Sequence, residues 1–153
     1  LAVIETLRHY NITTRGKRVV IIGRSNIVGK PLAGLLLYKD LFGDATVTIC
    51  HSRSEKLSDI TKEADILIAA TGKAEFVNKD MLKSNSIVID VGINQIVRNG
   101  KTSYVGDVDF NSCSKIAQSI TPVPGGIGTV TTAMLLKNVI KAVNIQNKVD
   151  IFD

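Results

Sequence analysis

The residues most suited to chemistry in this sequence are the seven of Gly23-Arg-Ser-Asn-Ile-Val-Gly29. They follow a β-branched run and precede a leucine-rich one. A turn of that kind, between a strand and a helix, presents backbone N–H groups and a helix N-terminus to an anion, so a phosphate can sit there. The spacing departs from the usual G-x-G-x-x-G, because Ser25 and Val28 occupy the second and third glycine places. Ser25 keeps the backbone further from a pyrophosphate while offering a hydroxyl. The same residues also make a tight strand-to-helix turn with no ligand, and the motif alone leaves both readings open.

Cys50-His-Ser-Arg53 closes the next predicted strand. A dinucleotide site that prefers NAD places an acid here, on the ribose 2′-hydroxyl. This chain has none until Glu55. A hydroxyl at Ser52 and guanidinium groups at Arg53 and Arg24 suit a 2′-phosphate instead, which points to NADP. Read blandly, Ser52 and Arg53 begin a solvated loop, and His51 is a strand-end residue with no evident partner. Ala70-Thr-Gly72 and Val91-Gly-Ile-Asn94 follow two further strands, and small residues there let a ring or ribose lie against backbone, or simply make turns. Pro124-Gly-Gly-Ile-Gly128 combines restriction with close backbone approach. It leads into a helix with Thr129, Thr131 and Thr132 available as cap or ligand hydroxyls. Asp107 and Asp109 read as turn and cap residues.

No self-contained catalytic constellation is present. His9 and His51 are the only histidines, which argues against a metal site or a Ser-His-Asp triad. None of Tyr10, Tyr38 and Tyr104 has a lysine four positions later.

The elements that must position these loops alternate between strand and helix. Strands are predicted at Arg18–Gly23, Thr46–Cys50, Ile66–Ala70, Ile87–Val91 and Ser119–Thr121. Helices are predicted at Asn26–Lys39 and about Val130–Val143, the last with Ala133, Leu136, Ile140 and Val143 on one face. Ile96–Arg98 and Lys101–Val105 flank Asn99-Gly100, the dipeptide of a type I′ hairpin. The pattern implies an α/β, Rossmann-like doubly wound parallel sheet, with helices on both faces and a β-hairpin insertion.

The chain has 153 residues and a formal charge of +5, with 44% hydrophobic and 22% charged residues. That composition excludes a disordered chain. No apolar run approaches the ~18 residues of a membrane span. The basic residues are scattered and aromatics make up only 5%, so a nucleic-acid partner is not indicated. Cys50 and Cys113 form neither a disulfide framework nor a metal pair, which fits a reducing compartment. Leu1, Val3, Ile4 and Leu7 already follow helical spacing, so residues 1–15 read as part of a linker helix from a longer polypeptide. Residues 16–146 read as the dinucleotide-binding domain and 147–153 as a C-terminal tail.

Together these segments resemble the C-terminal, NADP-binding domain of the bifunctional methylenetetrahydrofolate dehydrogenase/cyclohydrolase (FolD-type) family. The resemblance lies in Val20–Pro31, Thr48–Ser52, Ala64–Gly72, Val88–Asn94, Gly106-Asp-Val108 and Ile120–Gly128. It departs where the family has Pro-Met-Thr after the glycines and this chain has Thr129-Val-Thr131. The resemblance implies that Gly23, Arg24 and Ser25 meet the cofactor phosphates, Ser52 the 2′-phosphate and Ile93 the nicotinamide half, with Thr71 and Gly72 also at the cofactor. It implies oxidation of 5,10-methylenetetrahydrofolate and hydrolysis of the product to 10-formyltetrahydrofolate. An absent N-terminal domain would supply the catalytic Tyr-x-x-x-Lys pair and most of the folate pocket, so no catalytic residue and no metal ligand is expected in this chain. A homodimer in the cytoplasm is the family expectation. The alternatives are a shikimate-dehydrogenase-like cofactor domain and a non-catalytic nucleotide-binding module.

Overall fold

The computed structural model describes residues 1–147; residues 148–153, most of the expected tail, lie outside the described residues. Five parallel strands form the central sheet in the order β2-β1-β3-β4-β7: β1 (Arg18–Ile22), β2 (Thr46–Cys50), β3 (Ile66–Ala69), β4 (Ile87–Asp90) and β7 (Ser119–Ile120). β1 pairs with β2 on one side and with β3 on the other. The chain therefore reverses its direction of winding between β1 and β3, and the crevice above their C-terminal ends is where such sheets bind ligands.

Alternation along β1 divides the core between two faces. Val19 and Ile21, with Ile66, Ile68 and Ile89, pack under α1 (Ala2–His9), α2 (Gly29–Leu37) and α5 (Ile127–Asn147). Val20 and Ile22, with Leu67 and Val88, pack under α3 (Leu57–Thr61), a 3₁₀ turn at Lys79–Met81 and α4 (Phe110–Cys113). Leu36, Ile21, Leu67 and Ile68 are fully buried, each worth about 1.5–3 kcal/mol of transfer free energy. Strands covered on both faces explain why β1 and β3 read as continuous apolar runs rather than alternating ones. β2 lies at the sheet edge and leaves Thr46, Thr48 and Ile49 exposed.

Helix α1 carries Glu5 in its first turn and Arg8 and His9 in its last, the polarity that suits its dipole. It stops where Asn11 turns left-handed at φ +54°. Ala2, Val3, Ile4 and Leu7 of this helix are buried in the same core as β1.

Three elements differ from their sequence outline. α2 begins at Gly29 rather than Asn26, because residues 26–28 form a turn held by the Ser25 hydroxyl, which accepts the Val28 N–H at 3.0 Å. α5 is longer than expected and uses a different face: Ile127, Val130 and Met134 pack inward, while Leu136 and Val143 are exposed. With Leu135, Val139 and Ile145 also apolar, the helix has no single stripe from which its inward side can be read. The hydroxyls of Thr129, Thr131 and Thr132 donate to the carbonyls of Gly126, Ile127 and Gly128 instead of capping α5. The hairpin follows its turn chemistry. β5 (Asn94–Arg98) and β6 (Lys101–Val105) pair antiparallel, with φ +52° at Asn99 and +72° at Gly100.

Candidate functional site

The loops after β1, β2 and β3 converge on one cleft of about 370 Å³, lined by Gly23, Arg24, Ser25, His51, Ser52 and Thr71 together with Ala70, Lys73 and Phe76. Gly23 has φ +127°. A Cβ on it would stand 2.1 Å from the Ala70 carbonyl oxygen, so the β1 and β3 loops touch backbone to backbone there. Gly29, at the start of α2, lies equally close to Gly23: an added Cβ would be 2.0 Å from the Gly23 carbonyl oxygen. Both glycines of the seven-residue motif thus serve the closure of the loop, which leaves Arg24 and Ser25 on its open side, in the wall of the cleft.

Charge in the cleft is of one sign. Arg24 and Lys73 line it, and no Asp or Glu is among its described lining residues. The Lys73 ammonium also lies 5.5 Å from the centre of the Phe76 ring. At the end of β2 the backbone folds back on itself. The His51 N–H donates to Ser54 Oγ at 3.0 Å, and the Arg53 N–H donates to His51 Nδ1 at 3.2 Å. That second bond leaves the ring proton of a neutral His51 on Nε2. Arg53 is not among the lining residues, so of the two guanidinium groups expected near a 2′-phosphate only Arg24 lines the cleft.

Two predicted site residues fall elsewhere. Gly72 follows Thr71 at φ +66°, and its N–H points to the Asp107 carboxylate at 2.9 Å. Ile93 is 67% exposed and lines a separate, smaller cleft of about 200 Å³ with Gly92, Pro122 and Gly125. Asp107 is not the simple turn residue expected, since it is fully buried behind the β3 loop. Asp90 at the end of β4 is buried as well, and burial pushes its carboxyl above the usual carboxylate range against three backbone hydrogen bonds that lower it. Asp109 does cap α4, accepting the Ser112 N–H at 3.3 Å, and the Ser112 side chain, with a smaller share from that N–H, holds its carboxyl low. The sequence carries a signal for one of the two buried acids, since Asp90 ends an otherwise apolar strand, whereas Asp107 has the setting of an ordinary turn residue.

A parallel sheet with a cationic, glycine-closed crevice at its winding reversal defines a dinucleotide-binding α/β domain. Residues 1–147 match the family model for the tetrahydrofolate dehydrogenase/cyclohydrolase NAD(P)-binding domain, and the chain belongs to that family. It is 54% identical over 143 residues to the bifunctional protein FolD of Chloroherpeton thalassium, covering 92% of this chain and 49% of that protein. It is 56% identical over 145 residues to the FolD protein of Caldicellulosiruptor saccharolyticus, covering 95% and 50%. Among solved structures, the Campylobacter jejuni FolD methylenetetrahydrofolate dehydrogenase/cyclohydrolase superposes with a TM-score of 0.86 at 47% identity, over 95% of this chain and 49% of that one. The Trypanosoma brucei dehydrogenase-cyclohydrolase, solved with NADP cofactor and an inhibitor, gives 0.81 at 43%, over 90% and 46%. The chain thus spans about half the length of the curated relatives it matches. A shikimate-dehydrogenase-like domain gives way to this placement. Among the described residues, no helix is long and apolar enough to cross a membrane and no group of His, Cys, Asp or Glu could hold a metal ion.

Proposed function

We propose that this chain is the NADP-binding half of a bifunctional enzyme that oxidises 5,10-methylenetetrahydrofolate and hydrolyses the methenyl product to 10-formyltetrahydrofolate. The observation that carries the choice of NADP is the cleft's charge: Arg24 and Lys73 line it, Ser52 closes the β2 end, and no carboxylate is among its described lining residues. An acid at the β2 end would repel a 2′-phosphate, whereas a hydroxyl and a guanidinium accept one. In this reading Gly23, Arg24 and Ser25 hold the phosphates, and Ser52 with Arg24 holds the 2′-phosphate. Thr71 and Gly72 form the wall beneath the ribose, and Ile93 meets the nicotinamide half from the second cleft.

NADP⁺ supplies the hydride acceptor when bound, and this domain's own part is to bind and orient it. The catalytic groups and most of the folate pocket belong to an N-terminal domain, and residues 1–15 link to it ahead of the cofactor domain at 16–146. The assembled enzyme is a homodimer of the cytoplasm. The chain by itself catalyses neither step, and measurable cyclohydrolase activity from it would refute that.

Parallel titrations with NADP⁺ and NAD⁺, read by calorimetry, test the cofactor assignment. NADP⁺ should bind more tightly. Ser52→Ala should weaken NADP⁺ by about 10-fold, the size of one charge-assisted hydrogen bond, and leave NAD⁺ nearly unchanged. Arg24→Ala, which also removes a contact to the shared phosphates, should weaken both nucleotides, NADP⁺ by about 10-fold more than NAD⁺. Equal affinities for the two nucleotides, or equal losses, would overturn it.

A further inference from the structure

The β3 loop is held from behind. The fully buried Asp107 accepts the N–H of Gly72 at 2.9 Å, the N–H of Thr71, and the side-chain amide of Asn94 at 2.9 Å. Its own N–H donates to Asp90 Oδ1 at 3.0 Å. Asp90, 3% exposed, also accepts the N–H groups of Gly92 and Val108, both at 2.9 Å. Among the described residues no lysine or arginine forms an ion pair with either carboxylate. Backbone N–H groups hold Asp90, and backbone N–H groups with the Asn94 amide hold Asp107.

The two carboxylates lie directly on the main chain. A Cβ at Gly92 would stand 2.1 Å from Asp107 Oδ1, and one at Gly106 would stand 1.8 Å from Asp90 Oδ2. Gly92 and Gly106 therefore make room for buried acids. Through Asp107 and Asp90 the loop at Thr71–Gly72, the loop at Gly92–Asn94 and the chain leaving β6 form one hydrogen-bonded block.

Resting on the cofactor reading above, we propose that Asp107, braced by Asp90, is the positioning residue of the cofactor cleft, fixing the Thr71–Gly72 backbone against the β4–β5 loop. It touches no cofactor itself. Because it takes the N–H groups of Thr71 and Gly72, the β3 loop offers an anion no backbone donor at those two positions. Phosphate is directed to the Gly23–Ser25 side of the cleft, and an uncharged part of the dinucleotide lies over Thr71.

Asp107→Asn and Asp107→Ala, made in this chain, separate positioning from mere folding. Asparagine keeps one oxygen for Thr71 and Gly72, and Asn94 can turn its amide to meet the new NH₂ group. NADP⁺ affinity should therefore stay within about threefold. Alanine takes away the shared acceptor of the Thr71 and Gly72 N–H groups. Amide exchange at Thr71 and Gly72 should rise at least about 10-fold while Val19–Ile21 stay protected, and NADP⁺ should weaken about 10- to 100-fold. Asn94→Ala, which removes one donor at the hairpin mouth, should raise exchange at the same two amides and weaken NADP⁺ about threefold. It serves as the test should Asp107→Ala not fold. A folded Asp107→Ala chain with unchanged exchange or unchanged NADP⁺ affinity would overturn the proposal, as would an Asn94→Ala chain unchanged in both. Wild-type chain that fails to bind NADP⁺ would overturn the cofactor reading itself, and the exchange at Thr71 and Gly72 would still judge the role of Asp107.

Discussion

Gly23→Ala places a methyl group where the β1 and β3 loops meet. The new Cβ would stand 2.1 Å from the Ala70 carbonyl oxygen and 2.9 Å from its carbon, so one loop must retreat by more than an ångström. Neither loop is free to do so. The Gly23 N–H is bonded to the Cys50 carbonyl at 2.8 Å and the Ala70 N–H to the Ile22 carbonyl at 2.9 Å. The residue also holds φ +127°, which strains any L side chain by about 1–3 kcal/mol. Overpacking adds about 1–3 kcal/mol, so the loss is about 2–6 kcal/mol. In a domain of this size that lowers the melting temperature by roughly 4–24 °C. Two alanine controls separate the contributions. Gly72 is left-handed at φ +66° with nothing within 4 Å of an added Cβ, so Gly72→Ala carries strain alone, about 1–2 kcal/mol. Gly34 lies in α2 with open space around it, and Gly34→Ala should stabilise by about 0.5–1 kcal/mol. Thermal unfolding followed by circular dichroism ranks the three. Gly23→Ala melting together with Gly72→Ala would show that the loops do not touch as described.

Asp90 and the cysteines give two more tests. Burial raises the folded-state affinity of Asp90 for its proton, so its contribution to stability is complete below the ordinary carboxylate value and is lost as pH rises through the raised one. Wild type should be more stable than Asp90→Asn, and urea midpoints at several pH values should show that margin narrowing as pH rises; a margin that widens would refute the assignment. Burial also pushes the Cys113 thiol up to about 11 and raises that of Cys50, so a thiol reagent at pH 8 should modify neither in the native chain and both in urea. Rapid stoichiometric labelling of native protein would contradict it.

Strand positions were legible because four of the five sheet strands are short runs of β-branched residues, leucine and alanine closed by glycine or a polar residue, and their alternation with helices fixes a parallel sheet. Helix limits and faces were less so. Ser25, a side chain whose bond to Val28 no periodicity reveals, sets the start of α2. The inward side of α5 is chosen by what it packs on, since its apolar residues encircle it.

The residues that line the cleft were legible in the sequence at Gly23, Arg24, Ser25, Ser52 and Thr71, where strands end in loops. The supports behind those loops were not. A buried aspartate between Gly106 and Val108 is written like any aspartate in a turn, and only folding shows whether its partners are water or main-chain N–H groups. Yet the accounting is forced once the topology is known. The β3 and β4 loops leave the sheet at its C-terminal edge, where each loses its ladder partners, and N–H groups buried there need an acceptor. A carboxylate supplies several acceptor positions at once. Asp107 meets the donors of one loop and Asp90 those of the next, each against a glycine that leaves it room. The cationic crevice is thus backed by two buried acids, and the amides between them point backward. That arrangement keeps Arg24 and Lys73 as the charges the cleft presents to a ligand.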